Sequence, residues 1–411
     1  MTLEDIALLC RDDVRRSVEE NLERDPAAVA LDRRIEHAAL VATQVKYLQR
    51  ARRKLPAYYE ARCIMLPLSF EQASGEDCAL HKASRMSGES ALDLTCGLGV
   101  DAWALSQRFG RVVAVERDEV TAAVARENFR RLGALNIDVV CDSAENYVAA
   151  CTARFDWCCA DPDRRAGGRR RFLPEDCSPD IFALGITPLT SDRETDAGGR
   201  AAGPQCGSAA GQRIAERVVV KNSPLYDVDE AFRAFGGMCS VETVSSGDEC
   251  KEVLVWFDGG EPQLTATALG QGSFSIPFAR RGGMQSVQEP FRHEEYRWVV
   301  VPDVSIVKSR LVREHLGGSC TVAGVNGCGF AVQRPCGVLG RVFEIVSMER
   351  YEPRRLKQRF KGVRATVMLR DVPLGLDRIM RATGLAEGGD RVLLFTSAGG
   401  EVWAVELRRA V

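Results

Sequence analysis

Residues Leu92–Trp103 read LDLTCGLGVDAW. The run ALDLTC (91–96) is short and apolar, as a buried strand requires. It ends at Gly97 and Gly99, and DAWALSQRF (101–109) follows with apolar residues at helical spacing. A strand that runs through a glycine turn into a helix is the junction at which an open parallel sheet meets its ligand. The glycines let the backbone approach closely, and the helix start offers free amides. Asp93 precedes the glycines and Asp101 follows them.

The same pattern continues outward. VVAVER (112–117), IDVVCD (137–142), FDWCCAD (155–161) and RVVVKNS (217–223) are further apolar runs with β-branched or aromatic content. EVTAAVARENFRRLG (119–133) between two of them is helical in pattern. Strands alternating with helices predict an α/β fold with a parallel, Rossmann-like sheet covered on both faces. Four segments are expected: a helical N-terminal segment (1–64), the α/β domain (65–258), a connection (259–288) and a C-terminal α+β domain (289–411). Within the α/β domain, 187–213 is rich in Gly, Ala, Ser and Asp without apolar period, and reads as a flexible surface insertion. In the last segment RVFEIVSM, VRATVMLRD, RVLLFTS and EVWAVEL read as strands, and EPRRLKQRF and PLGLDRIMRATG as helices. That order suggests a small ferredoxin-like sheet.

Composition narrows the function classes. The 411 residues are 45% hydrophobic and 27% charged with a net charge of -2, so a polycation is excluded. Nucleic-acid binding would rest on local patches: basic RARRK (50–54), read first as a solvated helix face, or 341–411, where basic residues outnumber acidic ones by five. The 15 cysteines include no CxxC pair, and Cys320, Cys328 and Cys336 with His315 lack zinc spacing, so no metal is expected. No apolar run approaches the ~20 residues that span a bilayer. A reducing cytoplasm with cysteines as small core residues follows.

Around the glycine turn, the acids discriminate between ligands. Glu116 ends the second strand, where an acid can accept from ribose hydroxyls. Asp142 and Ser143 follow the third. A dinucleotide fingerprint tolerates the spacing, with Ala102 at its third glycine. Asp93 and Asp101, however, flank the place of a pyrophosphate, where they repel phosphates and attract a cation. S-adenosylmethionine carries a sulfonium, an ammonium and no phosphate.

On these residues, 92–162 resembles the class I S-adenosylmethionine-dependent methyltransferases, and DLxCGxG resembles their RNA-modifying branches most. Thr95 stands where that family usually has its first glycine. The resemblance implies that Asp93, Thr95, Gly97, Gly99 and Asp101 hold the methionine end, Glu116 the ribose, and Asp142 with Ser143 the adenine. FEQASGEDCALHKA (70–83), DPDRR, VVVKNSPLYDV, ECKEVL, YRWVVVPDVSIVKSRL and VRATVMLRDVPL extend it to the THUMP-like-domain methyltransferases over most of the chain. In that family Ser74 and Lys82 are expected to cover the cofactor; their alternatives are a helix cap and a surface lysine.

Methyl transfer needs an acceptor aligned behind the methyl and a group to orient its proton. Asp161 and Pro162 end the fourth strand and resemble the first two positions of the loop, an Asp or Asn, two prolines and an aromatic, that methyltransferases acting on exocyclic amines often carry. Asp163 and Arg164 replace the second proline and the aromatic, so Arg164 and Arg165 offer forked donors to the substrate or brace the loop. Lys221 ends the next strand on the same rim, to line the pocket or to reach solvent. Cys250 lacks a Pro-Cys motif and reads as a buried thiol. The expected function is a methyltransferase acting on RNA. The alternatives are a small-molecule or protein methyltransferase, and an RNA-binding protein that keeps the cofactor without transferring methyl.

Overall fold

A computed structural model describes residues 1–162, 177–186, 213–282, 291–324 and 327–409. They divide into two compact units, 1–240 with 253–261 and 241–252 with 262–411.

The first unit opens with helices α1 (Leu3–Cys10), α2 (Asp12–Glu20), α3 (Pro26–Ala30), α4 (Ala38–Lys54), α5 (Pro56–Glu60), α6 (Pro67–Gln72) and α7 (Glu76–Ser84). Prolines at the first turns of α3, α5 and α6 suit positions whose N–H has no helical partner. Two buried amides tie this segment to the rest. Gln44 of α4 donates to Met65 O at 3.0 Å and accepts from Met65 N at 2.8 Å. Asn128 donates to Ile64 O at 2.9 Å and accepts from Ile64 N at 2.7 Å. Each amide satisfies both the N–H and the C=O of one buried residue, which would otherwise be costly. The basic run 50–54 is largely paired on the surface, Arg50 with Glu71 and Arg52 with Glu23.

Then β1 (Ser90–Asp93), α8 (Val100–Ser106), β2 (Arg111–Glu116), α9 (Glu119–Arg131), β3 (Ile137–Cys141), α10 (Ala144–Ala150), β4 (Phe155–Ala160), β5 (Ala215–Asn222) and α11 (Val228–Ala234) alternate. Side chains of Asp118, Ser143 and Asp227 cap α9, α10 and α11 by accepting from the first free amides. The chain next forms β6 (Ser240–Ser246), of which 241–246 belong to the second unit, and β7 (Glu249–Phe257), of which 253–257 belong to the first.

In the first unit the strand order is β3-β2-β1-β4-β5-β7, parallel except for β7. The order reverses between β1 and β4, which sets the crevice at the carboxyl ends of those strands. Register fixes what meets there: Asp93 lies opposite Ala114 on one side and Cys159 on the other. Trp157 and Trp256 pack edge to face at 5.8 Å, with the Arg85 guanidinium 4.3 Å from the Trp256 ring centre.

The second unit carries β6 paired to β8 (Gln263–Ala268), and β8 to β9 (Gly272–Pro277). The segment 259–288, read as a connection that alternates enough to include a strand, supplies two, paired as a hairpin. After a short 3-10 turn (Phe278–Arg280) come β10 (Trp298–Pro302), α12 (Val304–Lys308), α13 (Val312–Leu316), β11 (Thr321–Val322), β12 (Gly329–Ala331), β13 (Gly340–Arg350), α14 (Pro353–Phe360), β14 (Arg364–Arg370), α15 (Leu376–Thr383), β15 (Ala386–Glu387), β16 (Arg391–Ala398) and β17 (Glu401–Arg409). The sheet order is β11-β12-β10-β13-β17-β16-β14-β15. Alternate residues of β16 feed two cores, Leu394 with Val299, Phe330 and Val405, and Leu393 and Phe395 with Leu356, Phe360 and Ile379 of α14 and α15. His315 accepts from Leu339 N at 2.7 Å, and its ring lies 4.7 Å from that of Phe274, tilted by 60°.

Candidate active site

At the carboxyl ends of β1–β5 lies a cleft of about 990 Å³. It brings together Thr95, Gly97, Asp101, Glu116, Asp142, Asp161, Pro162 and Lys221. Leu66, Pro67, Leu68 and Ser69, around the start of α6, join the lining, as do Arg117, Ser178 and Pro179. Asp93, Gly99 and Ser143 do not line it and act on residues that do.

Asp93 is 2% exposed. Its Oδ1 accepts from Thr95 N at 3.0 Å, while Oδ2 is buried without a hydrogen-bond partner among the described residues. Burial, reinforced by nearby Asp101 and Asp161 and opposed by the Thr95 N–H, pushes this carboxyl up to about 7. Gly99 caps α8 at φ +87°, and a Cβ there would meet the Phe129 ring at 2.5 Å. Only glycine satisfies both conditions.

Glu116 splints the glycine turn. Its Oε2 accepts from Gly97 N at 2.8 Å and its Oε1 from Asp118 N at 2.9 Å. Asp142 Oδ1 accepts from Ser143 N at 2.7 Å and Asn146 Nδ2 at 3.0 Å. Ser143 Oγ accepts from Asn146 N, so Ser143 serves as the cap of α10.

Asp101 is braced. Ser74 Oγ donates to its Oδ2 at 3.3 Å, and Lys82 Nζ, which donates to Ser74 Oγ at 3.1 Å, lies 3.0 Å from its Oδ1 in an ion contact. Both Ser74 and Lys82 are buried, so Lys82 is not a surface lysine. The charge of Asp101 is therefore opposed within the protein, and that of Asp93 much less so.

Asp161 is held twice. Its N–H donates to Thr95 Oγ1 at 2.7 Å, and its Oδ2 accepts from Lys221 Nζ. The Lys221 side chain is 14% exposed and turned into the cleft, not to solvent. Arg164 and Arg165 fall outside the described residues. The Cys96, Cys158 and Cys159 thiols beside the turn are buried, and burial pushes Cys250 up to about 11, so none is poised as a thiolate. Sequence reasoning did not find the two bonds to Asp161. The only signal was a hydroxyl at Thr95 where the family has glycine.

Comparisons with known proteins bear on the class of protein. A family model for a methyltransferase domain matches residues 91–162, and one described as THUMP domain-like matches 340–409. Two Mycobacterium tuberculosis proteins, from strains CDC 1551 and H37Rv, are 24% identical over 340 residues, which covers 80% of this chain and 84% of theirs. Both are named uncharacterized S-adenosylmethionine-dependent methyltransferases. The crystal structure of a provisionally named methyltransferase from Porphyromonas gingivalis W83 superposes with a TM-score of 0.78 at 22% identity, over 97% of this chain and 98% of that one. That likeness extends to the α/β sheet and the separate C-terminal sheet domain alike. With a methyltransferase domain and a THUMP-like domain in one chain of this fold, the protein is an S-adenosylmethionine-dependent methyltransferase.

Proposed function

We propose that this methyltransferase acts on RNA, with the cofactor along β1–β3 and the acceptor at the end of β4. The observation that carries the site assignment is the buried Asp93 Oδ2, an acceptor that no described protein group answers. A cationic ligand group beside it offsets the burial penalty; a phosphate would deepen it. From behind the cleft wall the charge of Asp93 then draws the cofactor's ammonium end, with Gly97 and Gly99 shaping the turn between them. Glu116 engages one amide through each oxygen and keeps lone pairs for ribose hydroxyls. Both bonds to Asp142 fall on Oδ1, which leaves Oδ2 to meet the adenine amine. Asp101, Lys82 and Ser74 fix the start of α8. Bound S-adenosylmethionine supplies an electrophilic methyl group. Asp161 orients the acceptor and takes its proton, and Pro162 stiffens the loop beside it.

What supports RNA is charge in the C-terminal module. Residues 341–411 hold 14 Lys and Arg against nine Asp and Glu, and Arg354, Arg355 and Lys357 of α14 are exposed. The DLxCGxG form adds to it. The test is mass spectrometry of nucleosides from cells with and without the gene. Loss of one methylated nucleoside in the deletion is expected; an unchanged nucleoside profile rejects RNA as the target. Binding to structured RNA is expected to weaken as salt rises.

A further inference from the structure

Lys221 was read from sequence as one more group on the cleft rim; its geometry gives it a more specific task. It pairs with the carboxylate of Asp161, and both side chains line the cleft. They are 14% and 31% exposed, so water does not dominate either. The pair is rigidly mounted. Asp161 N–H donates to Thr95 Oγ1 at 2.7 Å, and β4 and β5 run in register up to Ala160 opposite Val220, one residue before each partner. The sheet therefore fixes the backbone from which both side chains extend.

Resting on the methyl-transfer reading of the cleft, we infer that Asp161 and Lys221 form a donor–acceptor couple that selects an uncharged, proton-bearing nitrogen flanked by a lone pair. An amide or amidine edge, such as that of a nucleobase, has this character. One oxygen of Asp161 rests on Lys221 and the other accepts from the nitrogen. The ammonium carries three donors, enough to hold Asp161 and still meet the neighbouring lone pair. A protonated amine in the same place faces the Lys221 ammonium and the cationic donor at once, with one carboxylate to offset both. Lysine, arginine and α-amino acceptors are therefore disfavoured. As the carbon–nitrogen bond forms and the carbon–sulfur bond breaks, the bonding pair stays on sulfur. The acceptor's proton passes to Asp161, then to water when product leaves. Lys221 keeps its protons throughout, so it is a positioning residue.

The test uses the full chain, methyl-labelled S-adenosylmethionine and a lysate of a strain lacking the gene, with the labelled atom identified by mass spectrometry. Label on an amide-type or amidine-type nitrogen is expected. Lys221→Met is expected to lower kcat about 100-fold while calorimetric affinity for the cofactor stays within about threefold, and Lys221→Arg to recover at least a tenth of the rate. The retained affinity shows that the variant is folded. Wild-type kcat in Lys221→Met overturns the inference, as does label on a lysine, arginine or α-amine, or no label anywhere. Label on a protein side-chain amide rejects the RNA reading yet upholds this one.

Discussion

Asp93→Asn separates the charge of this residue from its shape. Asparagine keeps an oxygen for the Thr95 N–H and loses only the titration. In the native protein the carboxyl sits at about 7. About a tenth of it is then ionised at pH 6 and about nine-tenths at pH 8. If the cofactor's ammonium binds only the ionised form, the apparent Kd falls about tenfold between those values. The cofactor's own amine titrates nearby, so the variant serves as reference: its Kd keeps the ligand's pH dependence and loses the protein's. At pH 8 the variant binds about 10- to 100-fold more weakly, the worth of one opposite charge several ångströms away at an effective dielectric of about 20. Stability moves the other way. Below about pH 4 the residue is protonated folded or unfolded and contributes nothing. From pH 4 to 7 the unfolded chain ionises first, so native stability falls as pH rises, by about 4 kcal/mol once above 7. Asparagine removes that loss but buries an unpaired amide at roughly 1–3 kcal/mol. A net gain of about 1–3 kcal/mol at pH 8 remains. Calorimetric titration at pH 6 and 8, with thermal unfolding at pH 4 and 8, reads all of this. Equal pH slopes for the two proteins, or a variant less stable at pH 8, would refute the assignment.

Asp161→Ala is expected to leave cofactor affinity within about threefold and to abolish labelled transfer; retained transfer removes Asp161 from the chemistry. Thr95→Gly restores the family's usual residue but deletes the acceptor for Asp161 N–H, so kcat falls at least about tenfold while cofactor affinity holds, and Thr95→Ser keeps both. Gly99→Ala forces a Cβ against Phe129 at positive φ and is expected to cost about 2–4 kcal/mol, seen as a lower unfolding temperature at unchanged secondary structure. Asn128→Ala strands both groups of Ile64 and is expected to cost about 2–5 kcal/mol by the same assay.

The sheet was legible because parallel strands buried on both faces leave unbroken apolar runs, and because Asp93 and Glu116 sit where those runs stop. Glycine spacing exposed the turn for the same local reason. What sequence hid was contact at long separation. Lys221 and Asp161 are 60 residues apart and Ser74 and Asp101 27, and no periodicity links them. Gln44 and Asn128 were hidden differently. Asn128 sits between Ala125 and Phe129 on the buried face of α9, where a polar residue looks like an interruption and is an anchor. VETVSSGDECKEVLVWF gave no sign that the chain passes from the first unit to the second and back, because both legs read alike as short extended strands. The hairpin β8–β9 was under-read because its short strands are rich in Ser, Thr and Gly.

The two amide anchors bear on where this enzyme begins as a folding entity. The methyltransferase family model starts at residue 91, yet the backbone groups of Ile64 and Met65 are satisfied from α9 on one side and α4 on the other. A fragment beginning at the matched boundary would lack Leu66–Ser69 from its cleft wall and leave Asn128 with no peptide to grip. The helices ahead of the recognisable module are then a built-in scaffold rather than an appendage, and gene fusions or truncations that respect only the matched boundary should yield insoluble chains.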